Sequence, residues 1–157
     1  MSAPNVVDPL ETAALLAAEI SGAGNVPADI SRLIRGLDAL AYAMHFIDSV
    51  GGESEMEPPR LDYRQAYEAI KQRYAFLGRY WLALHPVLQE ETEGELAVGD
   101  AIDDLADILI ELKDVRWLHE HSGRNDALAA LRTRYDKHLW MHVHSLRQYL
   151  EEVKRDD

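Results

Sequence analysis

The chain has 157 residues, 47% of them hydrophobic, with a net charge of −12 and no cysteine. That length suits a single core, and the apolar share excludes a disordered chain. The charge makes phosphate backbones and anionic lipid poor partners, and the missing cysteine excludes disulfides, thiolate zinc sites and a cysteine nucleophile. The first eight residues have neither a basic start nor an apolar stretch, so no signal peptide is read there. No apolar run approaches the roughly 20 residues that span a bilayer, and the expectation is a cytoplasmic protein.

In chain order, Asp8-Pro9-Leu10-Glu11 predicts a helix start, with Asp as cap, Pro in the first turn and Glu three residues on. This helix should run to about Ile20 and stop at Ser21-Gly22-Ala23-Gly24. A second begins near Pro27, and its apolar residues Ile30, Leu33, Ile34, Leu37, Leu40, Ala41, Met44 and Ile47 keep the helical period. Gly51-Gly52 should end it, followed by an irregular stretch to Pro58-Pro59.

Asp62-Tyr63-Arg64-Gln65 is a further capping pattern. It predicts a third helix with Tyr63, Tyr67, Ile70, Tyr74 and Leu77 buried, closing at His85-Pro86 and open to a bend at Gly78. The cluster Tyr74, Phe76, Tyr80 and Trp81 reads as core. Asp100 caps a fourth helix, whose Leu105, Leu109 and Leu112 lie opposite its acidic residues. Gly123 ends that helix, and Asn125 or Asp126 caps a fifth that runs to about Val153, near 40 Å at about 1.5 Å per residue. The expectation is an all-α, single-domain bundle of about five helices over residues 1–157, with 1–7 and 154–157 as loose tails.

Two groups of residues have chemical potential. Glu90 to Asp114 carries ten acidic residues against one base, Lys113. On the fourth helix the stripe Asp100, Asp103 or Asp104, Asp107, Glu111 and Asp114 reads most simply as a solvated face. Carboxylates that dense need a counter-charge, and Arg73, Arg79, Arg132 and Arg134 are the sources within the chain. On the fifth helix, Leu128, Leu131, Tyr135, His138, His142, Leu146, Tyr149 and Val153 recur at helical spacing. His138 and His142 therefore stand where leucines belong and should point toward the core. Their candidate partners are tyrosines, carbonyls, Asp48, Asp103, Asp104 and Asp107. Two imidazoles one turn apart also suit a metal, although neither the Glu-x-x-His pattern of two-metal bundles nor the Glu of a zinc-protease helix is present. Trp140, on the outer side with Met141 and His144, is a candidate protein-contact patch.

These residues support a resemblance. Phe76-Leu-Gly78-Arg-Tyr80, Asp100-Ala-Ile-Asp103-Asp104-Leu-Ala-Asp107-Ile108 and His138-x-x-x-His142 resemble the signature blocks of a bacterial family catalogued as a domain of unknown function. That family has an Asp-Asp-Leu-Ala-Asp-Ile helix and a His-Trp-Gly-x-His helix. The likeness covers roughly the last 95 residues, implies a soluble helical domain, and singles out Asp103, Asp104, Asp107, His138 and His142. Leu139 and Trp140 depart from it, standing where the pattern has Trp and Gly, and Glu111 stands where it tends to have Asp. A weaker likeness joins Asp104-Leu-Ala-Asp107-Ile-Leu-Ile to the magnesium helix of all-α nucleoside triphosphate pyrophosphohydrolases. Their upstream Glu-Glu-x-x-Glu helix is not matched by the glycine-broken Glu90-Glu91-Thr92-Glu93-Gly94-Glu95.

The reading that follows is a non-enzymatic, acidic helical binding or adaptor protein of the bacterial cytosol, meeting another protein or a second copy of itself and using no cofactor. The alternative is a metal-dependent hydrolase, with Asp103, Asp104, Asp107, Glu111, His138 and His142 as the locus from which a divalent cation would take its ligands. A third possibility is that these residues are only a polar network between two helices.

Overall fold

Four aspartates set where the first four helices begin. Asp8, Asp29, Asp62 and Asp100 each precede a helix in extended backbone. Each carboxylate accepts a first-turn amide, at 3.0, 3.0, 3.1 and 2.9 Å respectively. Such a cap stabilises a helix by about 1 kcal/mol. The computed structural model describes residues 6–48, 54–88 and 94–157. Within them lie α1 (Pro9–Ser21), α2 (Ile30–Ala43), α3 (Tyr63–Arg73), β1 (Arg79–Ala83), β2 (Leu96–Asp100), α4 (Ala101–His121), α5 (Arg124–Arg134) and α6 (Trp140–Asp156). A π turn, Tyr135–Leu139, joins α5 to α6, so the described residues make five helical rods and one antiparallel hairpin. The fold is an all-α, single-domain bundle.

Helix α4 is the axis. It packs against α1, α3, α5 and α6, and its buried residues Ala101, Ile102, Leu105, Ala106, Ile108, Leu109, Leu112, Val115 and Leu118 occur all round its girth. A helix apolar on every side belongs in the middle of a core. The leucines are therefore not one face set against a solvated acidic one, as the sequence suggested. No described helix is long and apolar enough to cross a membrane.

Several boundaries differ from expectation. Helix α2 starts at Ile30 rather than near Pro27, because Asp29 supplies the cap. It ends at Ala43 in a 3₁₀ turn, Met44–Phe46, whose Met44 carbonyl accepts from Arg132 Nη1 at 2.8 Å. Gly51 and Gly52 lie outside the described residues, as do residues 1–5 of the expected tail and Glu90, Glu91 and Glu93. The other expected tail is helical, since α6 continues to Asp156. Helix α5 starts after Gly123, which has a φ of 112° that favours glycine. Asp126 falls in its first turn and accepts from the Ser122 hydroxyl.

The largest difference is after α3. The backbone leaves the helix at Tyr74 (φ −114°, ψ 43°) rather than at His85-Pro86. The Tyr74 hydroxyl donates to the Glu19 carbonyl at 2.9 Å, and the Gly78 amide donates to the Tyr149 hydroxyl at 2.8 Å. Residues 79–83 then pair with 96–100, Tyr80 opposite Gly99 and Trp81 opposite Val98. Phe76 and Trp81, expected in the core, are consequently exposed, whereas Tyr74 is buried. Tyr80 lies across the hairpin onto its partner strand, and a Cβ at position 99 would overlap its ring. Gly99→Ala should therefore cost about 1–3 kcal/mol of stability, the usual penalty for overpacking. Urea unfolding measures it, and a neutral result would show that the ring gives way freely.

Candidate functional site

The acidic residues of α4 and the histidines at the π turn meet. His142 Nδ1 lies 2.7 Å from Asp104 Oδ1, and the Tyr80 hydroxyl donates to Asp104 Oδ2. His138 Nδ1 lies 3.2 Å from Glu111 Oε1. The remaining ring nitrogens converge: His142 Nε2 is 2.9 Å from His138 Nε2 and 3.4 Å from Asp107 Oδ2. Asp107, His138 and His142 thus offer three donor atoms within 4.8 Å of one another.

The π turn sets this geometry. Its closing bond runs from the Trp140 amide to the Tyr135 carbonyl, five residues back. Leu139, the last residue of the turn, is buried, as are Val143, Leu146 and Leu150 beyond it. At 139 and 143 the core seam falls one residue later than a regular helical period predicts. His138 and His142 are displaced from the centre of the core to its flank, facing the acids of α4, and both are half-buried. Single π turns of this kind are frequent at functional sites.

The other predicted residues are distributed around this cluster. The Tyr63 hydroxyl donates to Asp103, and that of Tyr67 donates to Asp100 Oδ2 at 2.8 Å. Arg134 is the arginine that answers the stripe, 3.1 Å from Asp114 and 3.9 Å from Glu111. Arg73 pairs instead with Glu19 and Arg132 with Asp136, while Arg79 sits on β1 opposite Asp100. Asp48 is exposed and takes no part. Trp140, Met141 and His144 stay on the outside, as expected. Tyr80 was missed as a site residue because its segment read as helix; the signal available was a glycine, Gly99, in the opposing stretch.

Electrostatics follow from this half-buried crowding. Asp107 is raised above the ordinary carboxylate range by burial and then by the charge of Asp103, which together outweigh the histidines. Burial likewise raises Glu111 against the pull of His138 and Arg134, and raises Asp114 against Arg134. For His142, burial lowers the pKa. The hydrogen bond that its Nδ1 donates to Asp104 and the charges of Asp104, Asp107 and Asp103 outweigh it, and the net shift is upward. The Tyr63 and Tyr80 hydroxyls are raised by burial and by their aspartates, so they remain protonated donors.

The tautomers follow. A carboxylate only accepts, so Nδ1 of each imidazole carries the proton it donates to Asp104 or Glu111. In the neutral rings both Nε2 atoms then present lone pairs to each other, an arrangement that requires a proton or a cation between them. Glu111 Oε2 is also buried without a hydrogen-bond partner among the described residues.

No family model matches the chain, and no curated protein matches it in sequence. Among solved structures, it is similar to the crystal structure of protein BF1032 from Bacteroides fragilis. The TM-score is 0.69 at 17% identity, over 96% of this chain and 92% of that one. At that identity the likeness establishes the fold alone.

A folded-state pKa above the unfolded value means stability that is fully present below the unfolded value and lost as pH rises through the folded one. His142, Asp107 and Glu111 are all shifted upward and act in the same direction. In metal-free protein this cluster should therefore contribute less stability as pH rises above the ordinary carboxylate range, and His142→Gln should remove the part of the slope that lies above the ordinary imidazole value of about 6.5. Urea titrations in chelator at several pH values measure this. An unchanged slope in the variant would contradict the assignment.

Proposed function

We propose that Asp107, His138 and His142 are the ligands of a divalent transition metal and that the protein is a metal-dependent hydrolase. The observation that carries this reading is the 2.9 Å approach of two Nε2 atoms whose rings each commit the other nitrogen to a carboxylate. Carboxylate-backed imidazoles are the usual partners of a protein-bound metal, because the second bond fixes the tautomer and strengthens the donor. Two nitrogens bound to one ion at about 2.0–2.1 Å sit about 2.9 Å apart at a right angle and about 3.3 Å apart in a tetrahedron. The observed spacing suits the first and needs little movement for the second.

The donor set also bears on which metal and what use. Two imidazoles and one carboxylate favour zinc, iron or manganese over magnesium and calcium, which prefer oxygen. Three protein ligands leave coordination positions for water and substrate, whereas structural sites are closed by four. Access is compatible with that, since the side chains of Asp107 and His138 are 28% and 41% exposed and only His142, at 16%, is more enclosed. The bound metal would supply an acidified water at neutral pH. The chain's own residues hold the donors: Asp104 and Glu111 orient the rings, and Tyr80 fixes Asp104.

The alternative of a pyrophosphohydrolase-like magnesium site is less well supported, because the second helix brings imidazoles rather than carboxylates. The acids expected to meet a partner face tyrosines, histidines and Arg134, so any docking role would fall to the face around Trp140. Of the three sequence blocks that resemble the bacterial family of unknown function, the Asp block and the His block meet at this locus and the first supplies Tyr80 to Asp104. That is the basis for inferring membership in it and a place in the bacterial cytosol.

Titration calorimetry with Zn²⁺, Mn²⁺ and anaerobic Fe²⁺ tests the reading. One ion should bind per chain. Asp107→Ala and His142→Ala should abolish uptake with the helical spectrum intact, and Glu111→Gln should weaken it about 10- to 100-fold, as loss of an orienting partner does. If none of the metals binds or shifts the melting temperature, the proposal fails.

A further inference from the structure

Helices α1 and α4 run antiparallel, since Asp8, ahead of α1, meets Arg124, just beyond α4, at 3.2 Å. A valley lies between them. Its first cavity, about 450 Å³, has a floor of Ala13, Ala14, Ala17 and Ala18 on one side and Leu112 and Val115 on the other. These four short side chains keep α1 from filling the space beside α4. A second cavity, about 350 Å³, continues the valley between the end of α1, α3 and α4, over Ala66, Ala69, Leu109 and Ile110. Ser21 and Lys113 border both cavities. From Leu109 to Glu120 the valley follows α4 for about 16 Å. Spaces of this size, with an apolar floor and a few polar groups at the edge, are typical of small-molecule sites.

We infer that this valley binds an aliphatic carboxylic acid of medium chain length, with the chain on the alanine floor and the carboxylate at Lys113. The charges select the headgroup. Lys113 is the one base between Glu90 and Asp114, and no carboxylate among the described residues lies within 4.0 Å of its ammonium. The other charges of the lining are engaged or distant. Arg116 pairs with Glu120 at 3.1 Å and Asp8 with Arg124, while Asp62 accepts the Gln65 backbone amide at 3.1 Å. Glu11 and His119 stand toward the far end, Glu11 about 15 Å along α1 from Ser21. The free ammonium thus sits where the two apolar cavities join, and the Gln65 side chain borders the second of them. An anionic group with an apolar tail answers both features. A neutral chain leaves the ammonium unmet, and a small anion leaves the floor empty. The inference does not depend on the metal reading, because Asp107, His138 and His142 do not line the valley.

Amide chemical shifts of the full chain, titrated with decanoate and separately with decanol, test it. Decanoate should saturate one site, move the amides around Ala18, Ser21 and Lys113, and bind about fivefold more tightly than decanol, the most that a partly exposed ion pair gives. Lys113→Gln should bring the two affinities together. Ala14→Leu and Ala18→Leu fill the floor at positions that are not buried, so each should keep the fold and weaken both probes about tenfold, as an overfilled site does. Four results would overturn the inference: no saturable binding of decanoate, shifts confined to another part of the molecule, decanol bound as tightly as decanoate by the unmodified chain, or full affinity in both leucine variants.

Discussion

Asp104 is a buried carboxylate with both oxygens engaged, one by His142 and the other by Tyr80. Removing such a charge from water costs several kcal/mol unless hydrogen bonds replace the lost hydration. Charge-assisted bonds to an imidazole and a phenol do so here. They also join three separate elements, β1, α4 and α6. A two-stranded ribbon is marginal by itself, so its place beside the bundle rests on Tyr80 meeting Asp104 and stacking on Tyr149 at 5.0 Å. Gly99 permits that approach by presenting no side chain.

Around this anchor α4 does two things that rarely combine. It is apolar enough on all sides to serve as the axis of the core, yet it carries a column of acids through half-buried space. The column is tolerated because each member is met from another element. Tyr67 and Tyr63 reach Asp100 and Asp103 from α3, and Tyr80 reaches Asp104 from β1. The two histidines reach Asp104, Asp107 and Glu111, and Arg134 reaches Asp114. Neutral donors at the top of the column and cationic or titratable ones below leave the middle as the place where a positive ion gains most.

Much of the fold was legible because its signals are local. The cap aspartates Asp8, Asp62 and Asp100, the helical period of α2 and the Gly123 break all act within a turn of themselves, and the structure keeps them. The candidate residues were legible too, since imidazoles one turn apart and a dense Asp block are unusual in any helix. The direction in which the acids faced was not, because α4 has leucines on more than one side and periodicity alone cannot rank them. The hairpin was hidden for a related reason. Tyr74 and Leu77 continue the stripe of α3, while Arg79–Ala83 has apolar residues on both faces and no β-branched residue to mark a strand. What ends α3 there is a set of distant contacts, from Glu19, Tyr149 and β2.

The five residues Tyr135–Leu139 carry a consequence for the ancestry of this rod. A π turn is an ordinary α-helix that has accepted one extra amino acid, so its gain or loss is a single-codon event. Deleting one residue there would let the segment close as regular α-helix without turning α6, so Val143, Leu146 and Leu150 would stay in the core while His138, inside the turn, changed its facing toward Glu111. Chains that share this bundle but lack one position between Tyr135 and Leu139 would therefore keep the scaffold and hold an altered cluster.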